Sequence, residues 1–134
     1  MKHHQLSKKH HEFFTEQCRK IMDMFCLNNI FIDVRIGGCD DGCDANACYS
    51  HTDASLTVWI QEKKISRFYD SPYHNLVMLA FHEVVEGCFI GRLLGYAIEC
   101  AGSDRKDEIE NAGHNITHTL WYLFADALLE GIDK

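Results

Sequence analysis

Apolar and polar residues follow one another along the chain with periods that separate helical from extended segments. Residues 6–27 carry apolar side chains at intervals of three and four, the spacing of a helix with one buried face. Residues 30–36 and 54–60 are rich in β-branched and aromatic side chains and alternate in part, which is typical of strands. Two further stretches with helical spacing follow, residues 72–100 and 105–129. The pattern predicts the element order α-β-β-α-α.

This order predicts an α+β fold. The 134 residues suffice for one domain with its own core, and residues 1–134 are interpreted as a single domain. Because one loop, residues 37–53, joins the two strands, we expect a short antiparallel pair packed with the helices. The last two helices are expected to form an antiparallel pair, and residues 1–5 to be disordered.

The second helix carries local signals at its start and along its length. Ser71 offers a capping hydroxyl, and Pro72 stands at the first helical position, where an N–H would lack a partner. Gly87, Gly91 and Gly95 recur every four residues further on. Such a stripe of small residues indicates the close approach of a neighbouring helix.

Composition narrows the class of protein. Apolar residues make up 46% and charged residues 25%, which is ordinary for a globular domain. The formal net charge of −7, with scattered Lys and Arg, argues against a nucleic-acid partner. No apolar stretch approaches the roughly 18 residues that cross a bilayer, and no apolar signal segment is visible. These features predict a cytoplasmic protein without a membrane partner and leave the oligomeric state open.

The second helix also carries candidate metal ligands, in the motif His82-Glu83-Val84-Val85-Glu86. His82 and Glu86 are four residues apart, so both lie on one helix face and can bind one ion. Glu83 is adjacent, where its carboxylate can face a water held by that ion. The spacing is that of His-Glu-x-x-His zinc hydrolases, with glutamate at the second histidine. Since carboxylate oxygen and imidazole nitrogen bind zinc at similar distances, the motif predicts a Zn²⁺ site.

The last helix supplies further candidates. Glu110, His114 and His118 are spaced four residues apart and therefore share one face. Facing helices can bring such ligands to one point. The preferred ligand set is His82, Glu86 and His114. Glu110 or His118 is an alternative third ligand, or a group that orients a ligand.

A network of paired polar groups is the competing interpretation, because His-Glu-x-x-Glu also occurs by chance on solvated helix faces. Here the motif lies among apolar residues, with Leu79, Ala80 and Phe81 before it and Val84 and Val85 within it. Charged groups in such surroundings are rarely buried unless they are paired or bound to metal. We therefore favour metal binding.

The chain from residue 30 to residue 127 resembles the minimal zincin-like metallopeptidases of bacteriophages and bacteria. Residues 55–60 look like the strand that lines the cleft in that family, and residues 77–86 look like its motif helix. Residues 107–124 are similar to its final helix, which brings an acidic third ligand. The resemblance implies a zincin-like fold and a zinc-dependent, peptidase-like activity.

By this resemblance His82 is a zinc ligand, Glu83 is the general base, and Glu110 or His114 is the distal ligand. A peptide or protein substrate would lie along the edge strand by β-augmentation. Bound zinc would lower the pKa of its water, and Glu83 would carry the proton. The chain departs from the family at Glu86, which stands in place of the second histidine. Either the ligand set is permuted, or a metal-binding shell remains without peptidase activity.

The loop of residues 37–53 is rich in cysteine and carries a second candidate metal site. Cys39, Cys43, Cys48 and His51 place three thiols and one imidazole within thirteen residues. Such a set can close a structural zinc site of the Cys3His type, although its spacing differs from the usual Cys-x2-Cys knuckle. Free or redox-active thiols and one disulfide are the alternatives.

Three functions stay open. The first is a zinc-dependent, peptidase-like hydrolase, and the second is a catalytically inactive metal-binding or protein-interaction module on the same scaffold. The third is an all-α nucleotide pyrophosphatase similar to the MazG-like family, which uses Mg²⁺ and a Glu-x-x-Glu motif echoed here by Glu83 and Glu86. The strand-like segments and the row of histidines favour zinc over magnesium.

Overall fold

The computed structural model of the chain describes residues 2–39 and 42–132. Its elements, in chain order, are β1 (His3–Gln5), α1 (Lys8–Met24), β2 (Phe31–Ile36), β3 (Ala45–Ser50), β4 (Ser55–Ile60), β5 (Lys64–Ser66), α2 (Pro72–Val84), α3 (Gly91–Ala101) and α4 (Lys106–Leu129). A π-helical turn, Val85–Ile90, joins α2 to α3, and a 3₁₀ turn, Ser103–Arg105, precedes α4. The fold is therefore α+β, as predicted. Within the described ranges, no helix combines the length and the apolar composition needed to cross a membrane.

Three strands form the main sheet in the order β2-β4-β3. β3 and β4 make an antiparallel hairpin in which Ser50 lies opposite Ser55, and Ala54 in its turn has a left-handed backbone with φ 50°. β2 pairs with the other edge of β4 and runs parallel to it. The predicted antiparallel pairing of residues 30–36 with residues 54–60 is therefore wrong.

The loop predicted for residues 37–53 explains this difference, because it contains β3. The connection from Ile36 to Ala45 passes the end of β4, where the Gly37 N–H donates to Ile60 O at 2.7 Å. β2 and β3 thus run in opposite directions, as two strands joined by one loop do, but β4 lies between them. Because β2 and β3 run in opposite directions, β4 between them must be parallel to one of the two, and this is β2.

The first residues also belong to the fold. β1 pairs antiparallel with β5, with His4 opposite Ile65. The His4 side chain is only 8% exposed, and its Nε2 lies 2.7 Å from Tyr69 O. Residues 3–5 therefore form a paired strand, whereas the sequence predicts disorder for residues 1–5. Residue 1 lies outside the described part of the chain.

The core lies between α1, α2 and the main sheet. α1 turns Phe14 and Ile21 inward, two helical turns apart, and both are fully buried. β4 buries every second residue from Leu56 to Ile60 against the helices. Each such side chain contributes about 1.5–3 kcal/mol when it leaves water, so this core holds α2 firmly against the sheet.

The start of α2 is held by a cap and by one buried amide. The Ser71 hydroxyl accepts from the His74 N–H at 3.4 Å, as the sequence predicts for a cap. Asn75 is fully buried, and its Oδ1 accepts from the N–H groups of Phe68 and Tyr69 at 3.1 and 2.7 Å. Its Nδ2 donates to a strand carbonyl, that of Ser66, at 2.9 Å. The amide therefore fixes the loop before α2 to the helix itself.

The π turn interrupts what the sequence predicts as one continuous helix. The Gly91 N–H donates to Glu86 O, five residues back, which is the hydrogen bond of a π helix. A Cβ on Gly91 would lie 2.6 Å from that carbonyl oxygen, so this position requires glycine. π turns occur often at functional sites, and this one contains Glu86 of the candidate motif.

The glycine stripe does not serve helix–helix contact as predicted. A Cβ on Gly87 would meet the sheet, 3.1 Å from Ala47 Cβ, and a Cβ on Gly95 would meet nothing within 4 Å. The close helix contact instead uses Gly113 of α4, where a Cβ would lie 2.1 Å from Leu94 Cδ1. This glycine lets α4 approach α3 closely, directly beside His114.

Candidate metal centre

The candidate centre lies where the end of α2 meets the middle of α4. His82 stands in the last turn of α2, and His114 and His118 stand one turn apart on α4. Thr117 is fully buried, and its hydroxyl donates to Gly113 O at 2.9 Å, so this buried hydroxyl is paired. The two helices that the sequence predicts as partners therefore present their imidazoles to the same space.

The three imidazoles converge. His114 Nε2 and His118 Nε2 lie 3.0 Å apart, and the His82 ring centroid lies 5.2 and 5.3 Å from those of the other two. One ligand atom from each of the three residues falls within 4.8 Å of the others. Among residues 2–39 and 42–132, this is the one group of three or more metal-ligating side chains that converges in this way.

The spacing of these nitrogens suits one metal ion. Two nitrogens bound tetrahedrally to zinc at about 2.0–2.1 Å lie about 3.3 Å apart, close to the separation of His114 and His118. Metal binding also requires neutral imidazoles. Burial lowers the pKa of His118, and the neighbouring His114 and His82 lower it further against an opposing effect of Glu86, which favours the neutral imidazole.

Glu86, predicted as a ligand, lies beside the group and contacts two of its members. Its Oε2 is 2.5 Å from His82 Nε2, and both of its carboxylate oxygens are 3.4 Å from His114 Nδ1. Burial raises the pKa of Glu86, but the hydrogen bonds and charges of the two histidines outweigh it and lower the pKa overall. Burial likewise lowers the pKa of His82, but Glu86 and Glu83 reverse that effect and raise it. Glu86 is therefore a carboxylate that orients two imidazoles.

Glu83 is buried at the edge of the centre with one oxygen unpaired. The residue is 8% exposed, and its Oε2 has no hydrogen-bond partner among the described residues. Burial raises the pKa of Glu83 to about 7, with the charge of His82 opposing the rise and that of Glu86 adding to it. An unpaired buried carboxylate oxygen costs about 1–3 kcal/mol or more, which is typical of a group that acts on a bound molecule.

Two clefts open on either side of His82 and Glu83, and both residues line both of them. A polar cleft of about 550 Å³ also contains Glu86, Arg92 and His114. An apolar cleft of about 460 Å³ is lined mainly by aromatic and aliphatic side chains, among them Phe68, Met78, Leu79, Trp121 and Tyr122. The candidate centre therefore sits at the junction of a polar and an apolar binding space.

β3 forms the wall shared by the two clefts. Its start, Ala45, lines the apolar cleft, and its later residues, Asn46 to Tyr49, line the polar one. β3 is also an edge strand, since only β4 pairs with it in the sheet. The sequence predicted this role for residues 55–60, but those residues form the central strand β4. The strand along the cleft is β3, which is next to β4 and lies within the loop predicted for residues 37–53.

Glu110, the other residue predicted on α4, does not join the imidazoles. It lines the polar cleft, and its Oε1 lies 3.8 Å from Lys106 Nζ. Of the row on α4, the structure therefore brings His114 and His118 to the centre and leaves Glu110 at the rim.

The cysteine-rich segment does not form a converging group within the described residues. Cys43 is exposed and lines the apolar cleft, whereas Cys48 and His51 are exposed at the polar cleft. Cys39 is half-buried, and none of the four belongs to a group of three or more converging ligands. No disulfide occurs among the cysteines of the described part of the chain. Within the described residues of the segment, the structure therefore does not bring the predicted Cys3His ligands together.

Three further residues shape the surroundings of the centre without belonging to the predicted set: Arg92, Tyr49 and Gly113. Arg92 and Tyr49 lack any motif that would mark them, since they meet only through the contact of β3 with α3. Gly113 precedes His114 directly, and a glycine in mid-helix beside a candidate ligand is a signal of close packing. That signal was present in the sequence.

Comparison with known proteins found no matching family model, no matching curated protein and no matching solved structure. The fold and the site by themselves define the class: an α+β protein with a three-histidine candidate metal centre in a cleft.

Proposed function

We propose that this chain is a zinc-dependent hydrolase of the peptidase type, with zinc held by His82, His114 and His118. The observation that carries the proposal is the convergence of three imidazoles from two helices beside a buried carboxylate with an unpaired oxygen. Catalytic zinc sites typically have three protein ligands and keep the fourth position for water or substrate. The three imidazoles supply such a set, and the carboxylate of Glu83 lies beside it.

The donor set fits zinc better than magnesium or calcium. Imidazole nitrogen is a ligand for zinc and other transition metals, whereas Mg²⁺ and Ca²⁺ take oxygen ligands. Glu86 supports the set, because a carboxylate hydrogen-bonded to a ligating histidine fixes the orientation of its ring.

Bound at this position, zinc would supply a Lewis acid that polarises the scissile carbonyl and activates water. Glu83 moves the proton in this proposal: its Oε2 accepts the proton of the attacking water and delivers it to the leaving amine. A carboxylate whose pKa is raised to about 7 suits both steps, because a general base works best when its pKa lies near the working pH. Burial of Glu83 also keeps bulk water from its carboxylate.

The shape of the cleft favours an extended peptide as substrate. The outer side of β3 carries backbone N–H and C=O groups that β4 does not pair, and these can bind a peptide as an added strand. A peptide along β3 would pass from the apolar cleft to the polar one, and His82 and Glu83 face both. Its scissile bond would then lie at the junction of the two clefts.

The test is the substitution Glu83→Gln in protein loaded with zinc. We expect peptide hydrolysis to fall by about 10²–10⁴-fold, because the amide cannot accept the proton, while the zinc content measured by elemental analysis stays the same. Glu99→Gln, an exposed change on α3, is the matched control and should leave both unchanged. Full hydrolysis by Glu83→Gln, or none by the zinc-loaded wild type across a broad peptide library, would contradict the proposal.

A catalytically inactive metal-binding module is the second candidate, and the position of Glu86 favours it. A fourth ligand from this carboxylate would complete a closed, structural site with no place for substrate. Zinc bound tightly by a wild-type protein that cleaves no peptide would support this second candidate. The magnesium-dependent pyrophosphatase alternative requires an all-α fold, which five strands among the described residues do not fit.

A further inference from the structure

Arg92 is a cation in the polar cleft that the proposed hydrolysis does not use. It follows the π turn directly, at the start of α3, and is half-buried. Its guanidinium lies 5.2 Å from the centre of the Tyr49 ring on β3. A cation–π contact at this distance helps to hold the guanidinium in place, and the N–H donors of the guanidinium can still bind a ligand. Arg92 is therefore positioned against the strand along which the cleft runs.

Two acids of this cleft have partners other than Arg92, and the third, Glu83, is buried and forms no ion pair with it. Glu86 contacts His82 and His114, and Glu110 lies within reach of Lys106. Within the described ranges, no carboxylate forms an ion pair with Arg92. A half-buried guanidinium that lacks an acid of its own is typical of a site for an external carboxylate, which it binds through two parallel hydrogen bonds.

We infer that Arg92 selects peptides that carry a carboxylate on the Tyr49 side of the metal centre. The inference rests on the proposed function in one respect, namely that a peptide lies along β3. Since Tyr49 is near the end of β3 that lines the polar cleft, the carboxylate binds on that side of His82, and an apolar side chain occupies the opposite cleft. The carboxylate belongs either to an acidic side chain or to the C-terminus of the peptide.

Binding measurements on zinc-loaded Glu83→Gln protein test this without consuming the peptide. The probes are short fluorescent peptides in which one Glu is moved along an otherwise neutral sequence, each paired with its Gln counterpart. A second set compares a free C-terminal carboxylate with a C-terminal amide. We expect at least about tenfold tighter binding for Glu at one position or for the free C-terminus, the range of a charge-assisted hydrogen-bonded pair.

The matched variants assign this preference to Arg92. Arg92→Gln should reduce the difference between paired peptides to less than about twofold, and Arg92→Lys should retain part of it, because lysine keeps the charge but not the planar pair of donors. Arg35→Gln is the control, since Arg35 is exposed on β2 and already paired with Asp33 at 2.8 Å. It should leave the preference intact.

Two results would overturn the inference: equal binding of all paired peptides, including the absence of binding by every peptide, or a preference that survives in Arg92→Gln. The proposed function fails by a different readout, which is cleavage by the wild type. Carboxylate-dependent binding through Arg92 in a protein that cleaves nothing would uphold the inference and contradict the peptidase proposal. Peptide cleavage at a rate that does not depend on peptide charge would support the peptidase proposal and contradict the inference about Arg92.

Discussion

The histidine centre and the cysteine-rich segment are two sets of metal-ligating residues with opposite outcomes. His82, His114 and His118 are separated by as many as 36 residues, counted from 82 to 118, yet their ligand atoms converge within 4.8 Å. Cys43 and Cys48 are only five residues apart in sequence, yet they line different clefts. Nearness along the chain therefore does not decide which set can bind an ion.

The difference follows from the geometry of the elements that carry the residues. Residues four apart on a helix, such as His114 and His118, lie about 5–6 Å apart on one face, and a second packed helix needs to bring only one more ligand. In β3 the chain rises about 3.3 Å per residue, so the stretch from Ala45 to Cys48 alone spans about 10 Å. Helices therefore gather ligands, whereas an extended segment separates them.

The largest effect is expected from removing one imidazole of the histidine centre. His118→Ala should lower zinc affinity by more than about 100-fold, because loss of a ligand exceeds the 10–100-fold cost of losing a group that only orients one. A competition titration against a coloured chelator measures this. His51→Ala, in the cysteine-rich segment, is the control and should leave the affinity unchanged. Comparable losses in both variants would erase the distinction between the two regions.

A smaller effect is expected from the π turn that places Glu86 beside the imidazoles. Gly91→Ala puts a Cβ 2.6 Å from Glu86 O, a backbone atom that cannot move without breaking the turn. We expect a loss of about 1–3 kcal/mol in the free energy of unfolding, measured by chemical denaturation.

Gly95→Ala is the matched control for this substitution, one helical turn further along α3. A Cβ there meets nothing within 4 Å, so alanine should stabilise the helix by about 0.5–1 kcal/mol. The opposite signs separate steric conflict in the π turn from ordinary helix propensity. A gain in stability from both alanines would mean that the π turn does not require Gly91.

The smallest effect is expected from the cysteine-rich segment. The double variant Cys43→Ser and Cys48→Ser changes two exposed thiols and should shift the free energy of unfolding by no more than about 0.5 kcal/mol. Zinc content by elemental analysis should stay at one ion per chain, the number expected from the single converging group in the described part of the chain. Loss of a second ion in this variant would show that the segment binds metal after all.

The sequence by itself determined the main helical segments, two of the five described strands and the residue types of the candidate centre. The periodic apolar residues of α1, the cap at Ser71 and the mixed order of helices and strands were sufficient to predict the α+β class, because these signals depend on near neighbours in the chain. The same is true of the shared helix faces of His82 with Glu86 and of His114 with His118, since spacing along a helix fixes direction.

Only the tertiary structure decided which of these groups meet. The parallel pairing of β2 with β4, the place of β3 on the edge of the cleft, and the contact of Arg92 with Tyr49 all join residues that are distant in sequence. The inclusion of His118 and the displacement of Glu110 depend likewise on how α4 lies against α2 and α3, where Gly113 allows close approach to Leu94 of α3. Contacts of this kind are a property of the whole packed chain, and no local pattern encodes them.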